Sequence, residues 1–351
     1  MRATFKMQIL AKSMQWIKNE IRGWFLLLGI IVLIPFAVLF LLTENSYWLE
    51  ISVLTMSTLI VEEKLQLTVL GVLLHGLAIM FLFYLLFFTQ ELPILFILSS
   101  TLSATAIVWI ACKGDKLRTL GNWTFIPAII LSIELASEMK PVFSLYSLTH
   151  LIPYLIVALI PTLAITLFNQ IKFYQERRGY QFLQLSYLSD FGAKKNNAES
   201  MIAMALGVGV SAFLVQYIPM QNGQWMIWGV ASVITGEIKT TPRKFHQRLT
   251  GVLIGVPVGI LLGQFVVPST PFNLTLTTVA LFLTLVAFRR YIIAYTLRCV
   301  FVATVVMLIT HSRAIAFERL SHVIIGGLIG LACVMLCHFL NRTYAKLRSL
   351  R

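Results

Sequence analysis

Nine apolar stretches, most about 20 residues long, recur along this chain, and a stretch of that length matches the thickness of a bilayer. They are Trp24–Leu42, Leu67–Phe88, Leu92–Cys112, Leu148–Leu167, Met201–Ile218, Leu249–Val267, Leu274–Phe288, Tyr291–Thr310 and Leu320–Phe339. Three further runs, Tyr47–Val61, Trp123–Leu135 and Trp225–Ile234, are shorter or interrupted by polar residues. Counting all of them predicts about twelve transmembrane helices. The short runs would be tilted, broken or re-entrant, which a bilayer tolerates only where protein or a wet cavity covers the backbone. Charged residues are 12% of the chain, about half the share of a soluble domain, too few to cover a surface facing water. The expected fold is therefore an all-α membrane protein with the lipid bilayer as its main partner.

The net charge of +14 would suit nucleic acid, but the placement of the charges does not. Lys and Arg fall in the breaks between apolar runs, as membrane topology requires, rather than along one face. With twelve crossings and the N-terminus in the cytoplasm, almost all of them face inward, and Lys140, Arg313 and Arg319 are left outside. Both termini are then cytoplasmic, in a bacterial inner membrane. Residues 1–23 read as a basic amphipathic helix on the inner surface, with Phe5, Ile9, Leu10, Met14, Ile17 and Ile21 on one side. No cleavable signal peptide is expected, because no small-residue cleavage site follows Trp24–Leu42. Residues 170–200 read as a cytoplasmic linker and residues 342–351 as a basic tail. Cys112, Cys299, Cys333 and Cys337 lie in or beside apolar runs and read as packing residues without a disulfide.

The chain also repeats itself. Asn45-Ser-Tyr-Trp48 returns as Asn222-Gly-Gln-Trp225, Gly71-Val-Leu-Leu74 as Gly251-Val-Leu-Ile254, and Leu148-Thr-His-Leu-Ile152 as Leu320-Ser-His-Val-Ile324. Their shared order and nearly constant offset predict two related six-helix repeats, residues 24–169 and 201–341. An even number of crossings per repeat makes the two parallel rather than inverted. Transporters are often built this way, with a substrate path where the repeats meet.

Trp225, the basic loop Lys239–Arg248, the run Arg248-Leu-Thr-Gly251 with Gly255 and Gly259, and Arg319 seven residues before Gly326 form an ordered set. With the apolar runs around them, they resemble the core of the fusaric acid resistance and aromatic acid exporter superfamily, whose plant relatives are aluminium-activated malate channels. The resemblance covers roughly Met201–Arg342, with Val252 standing where the family usually shows Thr. It is closest to short members without large cytosolic domains. It implies export of small organic anions, chiefly aromatic carboxylates, and a periplasmic adaptor protein as partner.

No phosphate-cradling Gly-rich loop, HExxH, CxxC or GxSxG is present, so no enzyme, cofactor, metal or ATP motor is expected. The driving force would then be the proton gradient or the substrate's own gradient. Arg298 lies about seven residues inside its run, on the order of 10 Å deep, where a charge needs water or a partner. Its guanidinium suits a carboxylate. Arg248 and Arg319 read as basic residues at the inner and outer mouths, and Trp48 and Trp225 as outer-interface aromatics able to stack on a ring. His150, His322, His75 and Glu50 are candidates for proton coupling, and Glu134 stands near another outer end. Gly251, Gly255 and Gly259, like Gly326 and Gly330, recur every four residues and let helices approach closely, which reads as packing, with a rocking surface between the halves as the functional alternative. A passive anion channel and a non-transporting scaffold for envelope assembly are the competing functions. Assembly into a homo-oligomer is left open.

Overall fold

The structure is a computed structural model and describes residues 19–138, 145–174, 197–218, 220, 222–234 and 240–349. The expected surface helix up to residue 18, Lys140, Lys239 and most of the linker lie outside the described residues.

Twelve α-helices fill the described chain: α1 Gly23–Thr43, α2 Tyr47–Leu65, α3 Val69–Thr89, α4 Pro93–Ala111, α5 Asp115–Glu138 and α6 Leu145–Tyr174 come first. After the linker follow α7 Asn197–Tyr217, α8 Gln224–Val233, α9 Thr241–Leu261, α10 Pro271–Leu283, α11 Tyr291–Thr310 and α12 Arg313–Ser349. Nine of them, all but α2, α8 and α10, are long and apolar enough to cross a membrane. Their outer faces stay apolar. Leu27, Ile31, Ile34 and Val38 on α1, and Ile202, Leu206, Val210 and Phe213 on α7, are exposed at helical spacing. Water would penalise such stripes, whereas hydrocarbon does not. The chain is a multi-pass membrane protein.

The three remaining helices differ for separate reasons. In α2, every residue from Ile51 to Glu62 is buried. It is a central helix that never meets lipid, so it can carry Ser52, Thr55, Ser57 and Thr58. Those hydroxyls bond to backbone carbonyls, and Thr58 donates to Thr162 of α6 at 3.0 Å. In the second half, α8 holds the same central place and is shorter still. The run Leu274–Phe288 does not form one helix: α10 ends at Leu283, and residues 284–290 continue without regular helix. The apolar run Trp123–Leu135 reads short because it is only part of α5, whose first turns carry Asp115, Lys116 and Arg118. The expected basic tail is mostly a continuation of α12, to Ser349.

Helix pairs that touch in the first half have counterparts in the second. α3 packs on α5, and α9 on α11; α2 packs on α6, and α8 on α12. Across the halves, α4 meets α7 while α10 meets α1. The three repeated sequence segments begin or lie within α2 and α8, α3 and α9, and α6 and α12.

The glycine ladder packs helices within the second half and does not form the alternative rocking surface between the halves. A Cβ on Gly251 would lie 2.6 Å from the Tyr295 ring, and one on Gly255 2.5 Å from the Thr296 carbonyl oxygen; Gly259 faces the Val300 carbonyl. All three therefore seat α9 on α11 within the second half. Thr304 of α11 donates to Gly259 O at 3.1 Å across this seam. Gly326 and Gly330 likewise let α12 lie on the backbone of α8. Gly255→Leu is expected to lower thermal stability in detergent severely, by about 1–3 kcal/mol or more, because backbone rather than a yielding side chain blocks it. Gly209→Ala, whose Cβ would meet only Thr101 Oγ1 at 3.4 Å, should leave the melting temperature unchanged. Equal melting curves for wild type and Gly255→Leu would refute this seam.

Candidate functional site

A cavity of about 480 Å³ opens between the halves, at the end of the bundle where α1, α9 and α11 begin. Its walls come from α4 and α5 on one side and from α7, α8, α9, α11 and the residues after α10 on the other. Five cationic side chains line it: Arg22, Lys244, Arg248, Arg289 and Arg298. Trp123, Phe125, Trp228, Phe288 and Tyr291 supply rings, and Asn122, Gln247 and Ser232 supply neutral hydrogen-bonding groups. Among the described residues, no Asp, Glu or His lines it.

The two deep arginines are held differently. Arg248 of α9 is buried, its charge set against Tyr295 at 4.6 Å and Trp228 at 5.2 Å from the ring centres. Its Nη1 donates to the Tyr291 hydroxyl at 3.4 Å, whereas Nε and Nη2 meet no protein acceptor. Lys244 and Tyr291 lie one turn from Arg248 and Tyr295 respectively, so each pair falls on one helix face. Arg298 of α11 is half-buried and reaches back to the irregular segment after α10. Its Nε donates to Thr284 Oγ1 at 3.3 Å and Nη2 to Thr284 O at 3.4 Å. That segment is pinned in turn. An antiparallel bridge joins Ile21 to Phe288, Arg22 N donates to Ala287 O at 2.8 Å, and Glu20 pairs with Arg290 at 3.2 Å.

Arg319 lies behind this cavity. It is buried and stacks on Trp225 at 3.6 Å, and its Nε and Nη1 have no acceptor among the described residues. Trp225 contacts Trp228 at 5.4 Å. A line of rings and guanidinium groups thus runs from Arg319 through Trp225 and Trp228 to Arg248 and Tyr295, and on to Tyr291 at 5.6 Å. Cation–π attraction offsets part of the burial cost of Arg319 and Arg248. The sequence placed Arg248 and Arg319 at opposite mouths. In the fold each sits about two turns inside its helix, and with Arg298 they lie close enough to act electrostatically on one another and on Cys299.

Other candidates lie elsewhere. Trp48 packs on Tyr154 at 4.8 Å, and His150 joins Tyr154 and Tyr47 in the same first-half aromatic cluster. Glu50 is half-buried beside it on α2. His75 is buried in α3 with no acceptor or donor for either ring nitrogen. His322 is buried on α12 and interacts with Glu318 and the Asn222 backbone. None of these lines the cavity. Sequence reasoning passed over Trp228, Tyr291 and Tyr295, although their spacing from Trp225, and from each other, would have placed them on shared faces.

Residues 209–333 match the fusaric acid resistance protein-like family. The matched segment runs from within α7 into α12 and includes Trp225, Arg248, Arg298 and Arg319, so the resemblance seen in the sequence holds over this region. Members of the family are transporters. No curated protein and no solved structure matches the chain.

An unpaired buried charge costs more than a well-packed apolar side chain of the same shape. Arg319→Met should therefore keep or raise the melting temperature in detergent. A fall of several degrees would show that Arg319 holds the fold together rather than waiting for a ligand.

Proposed function

We propose that this protein exports small organic anions, aromatic carboxylates foremost, through the path that begins in the cationic cavity. The observation carrying this reading is the cavity wall, which among the described residues combines five cations with five aromatic rings and no carboxylate. A guanidinium suits a carboxylate geometrically, and a flat ring can slot between aromatic side chains. Arg298 and Arg248 would hold the anion, and Arg319 with Trp225 would receive it beyond Trp228. The helix pairing supports two parallel six-helix repeats and twelve crossings, with α2 and α8 as central helices shielded from lipid. The charge bias supports an inner-membrane location with cytoplasmic termini, which puts the cavity on the cytoplasmic side. A periplasmic adaptor would take the anion onward, as the family resemblance implies.

The residues put forward for proton coupling stand away from the cavity, which favours the substrate's own gradient as the driving force. A channel-like mode fits the same wall. In proteoliposomes loaded with labelled benzoate, Arg298→Ala is expected to lose most efflux, with about a 10- to 150-fold weaker apparent affinity from one lost charge-assisted contact. Arg298→Lys should recover part of it, and a protonophore should leave wild-type efflux unchanged. Equal kinetics for wild type and Arg298→Ala at matched reconstitution would remove Arg298 from the site. The topology has its own check. Single cysteines placed between residues 172 and 197 should react with a membrane-impermeant thiol reagent only in inside-out vesicles, and labelling in right-side-out vesicles would overturn the orientation.

A further inference from the structure

Arg298 lines the cavity with one edge of its guanidinium already taken. Such a group meets a carboxylate best along an edge, where two N–H groups point in parallel at two oxygens. Nε and Nη2 form an edge of this kind. On Arg298 both donate to Thr284, Nε to Oγ1 at 3.3 Å and Nη2 to the carbonyl oxygen at 3.4 Å. Thr284 thus presents two oxygens where a carboxylate would present its own pair. Arg248 lines the same cavity, and its Nε and Nη2 have no acceptor among the described residues.

Charge and distance decide which partner Arg298 keeps. A bond from guanidinium to carboxylate runs about 2.7–2.9 Å and joins opposite charges. The oxygens of Thr284 are neutral, and both bonds to them are longer than that. They spare Arg298 the cost of donors buried without a partner. Against a carboxylate they are the weaker acceptors.

Thr284 also begins the irregular segment after α10. The backbone N–H groups of residues 284–287 bond back to carbonyls of residues 280–283, within α10. Farther on, Ala287 O and Arg289 N bond to the backbone of Arg22 and Glu20. Among the described residues, the two bonds from Arg298 are the hydrogen bonds that join residues 284–288 to α11. Leu285, Phe288 and Arg289 of the segment line the cavity. A ligand that takes Arg298 from Thr284 therefore also loosens one wall of its own site from α11.

We infer that Thr284 is a built-in competitor for the carboxylate on Arg298: an organic anion binds by displacing it, and this releases the segment 284–290 from α11. The inference rests on the anion-export reading and adds to it a competing residue and a movement. Linkage makes the effect reciprocal, so a weaker hold by Thr284 means a tighter anion.

The first test is equilibrium binding of benzoate to the full-length protein in nanodiscs, followed by tryptophan fluorescence. Thr284→Val keeps the size of the side chain and removes Oγ1. It is expected to bind benzoate roughly 2- to 10-fold tighter than wild type, the effect of one lost competing hydrogen bond. Thr284→Ser, which keeps the hydroxyl, should bind as wild type does. A Thr284 that merely holds Arg298 in position predicts the opposite sign for Val. The second test does not depend on the folding of a Thr284 variant. Ala287 is buried and is not among the residues lining the cavity. Saturating benzoate should raise the maleimide reactivity of Ala287→Cys several-fold above the background of the natural cysteines. With Arg298→Ala added, that reactivity should be high without benzoate and unresponsive to it. Equal or weaker benzoate binding by Thr284→Val, at a wild-type melting curve, would overturn the competition. Reactivity of Ala287→Cys that ignores benzoate would overturn the release, and both results leave anion export standing. Failure of wild type to bind benzoate would overturn the anion site itself.

Discussion

The approach of α9 to α11 at backbone distance sets the geometry of the rest of the second half. Glycine at 251, 255 and 259 lets carbonyl oxygens of α11 lie where side chains would otherwise stand. In lipid there is no hydrophobic drive to press helices together, so close van der Waals fit and occasional cross-helix hydrogen bonds must do it. The bond from Thr304 to Gly259 O is one of these. Once the seam is fixed, Arg248 on α9 has no choice but to lie against Tyr291 and Tyr295 on α11. A wider seam would leave that guanidinium facing hydrocarbon.

The buried cations follow from the same seam. A guanidinium in a bilayer protein is costly, and three near one another are costlier still. The fold answers with aromatic faces rather than carboxylates. Rings attract a cation without neutralising it, so a positive field remains in the cavity. A salt bridge would have stabilised each arginine better and left less field behind. The positions of the free nitrogens on Arg248 and Arg319 are consistent with that division of roles.

Much of this was legible in the sequence, and the reasons for the exceptions are physical. Helices that face lipid must be apolar, so α1, α3, α4, α7 and α11 could be read from hydropathy alone. Hydropathy fails for α2 and α8 because helices surrounded by protein are free to carry Ser, Thr and Gln. The run ending at Phe288 reads as a helix because its residues are apolar, but its last seven positions serve instead as a ledge for Arg298 and for the leading segment of α1. The motif arginines were visible as charges in apolar surroundings. Their convergence was not, because it depends on helix rotation, which charge counting does not contain. The glycine spacing announced a close contact without naming the partner helix, and only the fold shows it to be α11 and α8.

The bridge between residues 20–22 and 287–290 joins positions as far as 270 apart in the chain. A membrane protein is threaded into the bilayer from its N-terminus as it is synthesised. The leading segment of α1 therefore waits, unpaired, until ten helices have been inserted and the ledge after α10 emerges. Until then the contact between α1 and α10 cannot form either, and the cavity has no complete mouth. Assembly of the cavity wall is thus one of the last events of biosynthesis, so a chain truncated before residue 290 would leave the bilayer with a bundle of helices and no sealed basic vestibule.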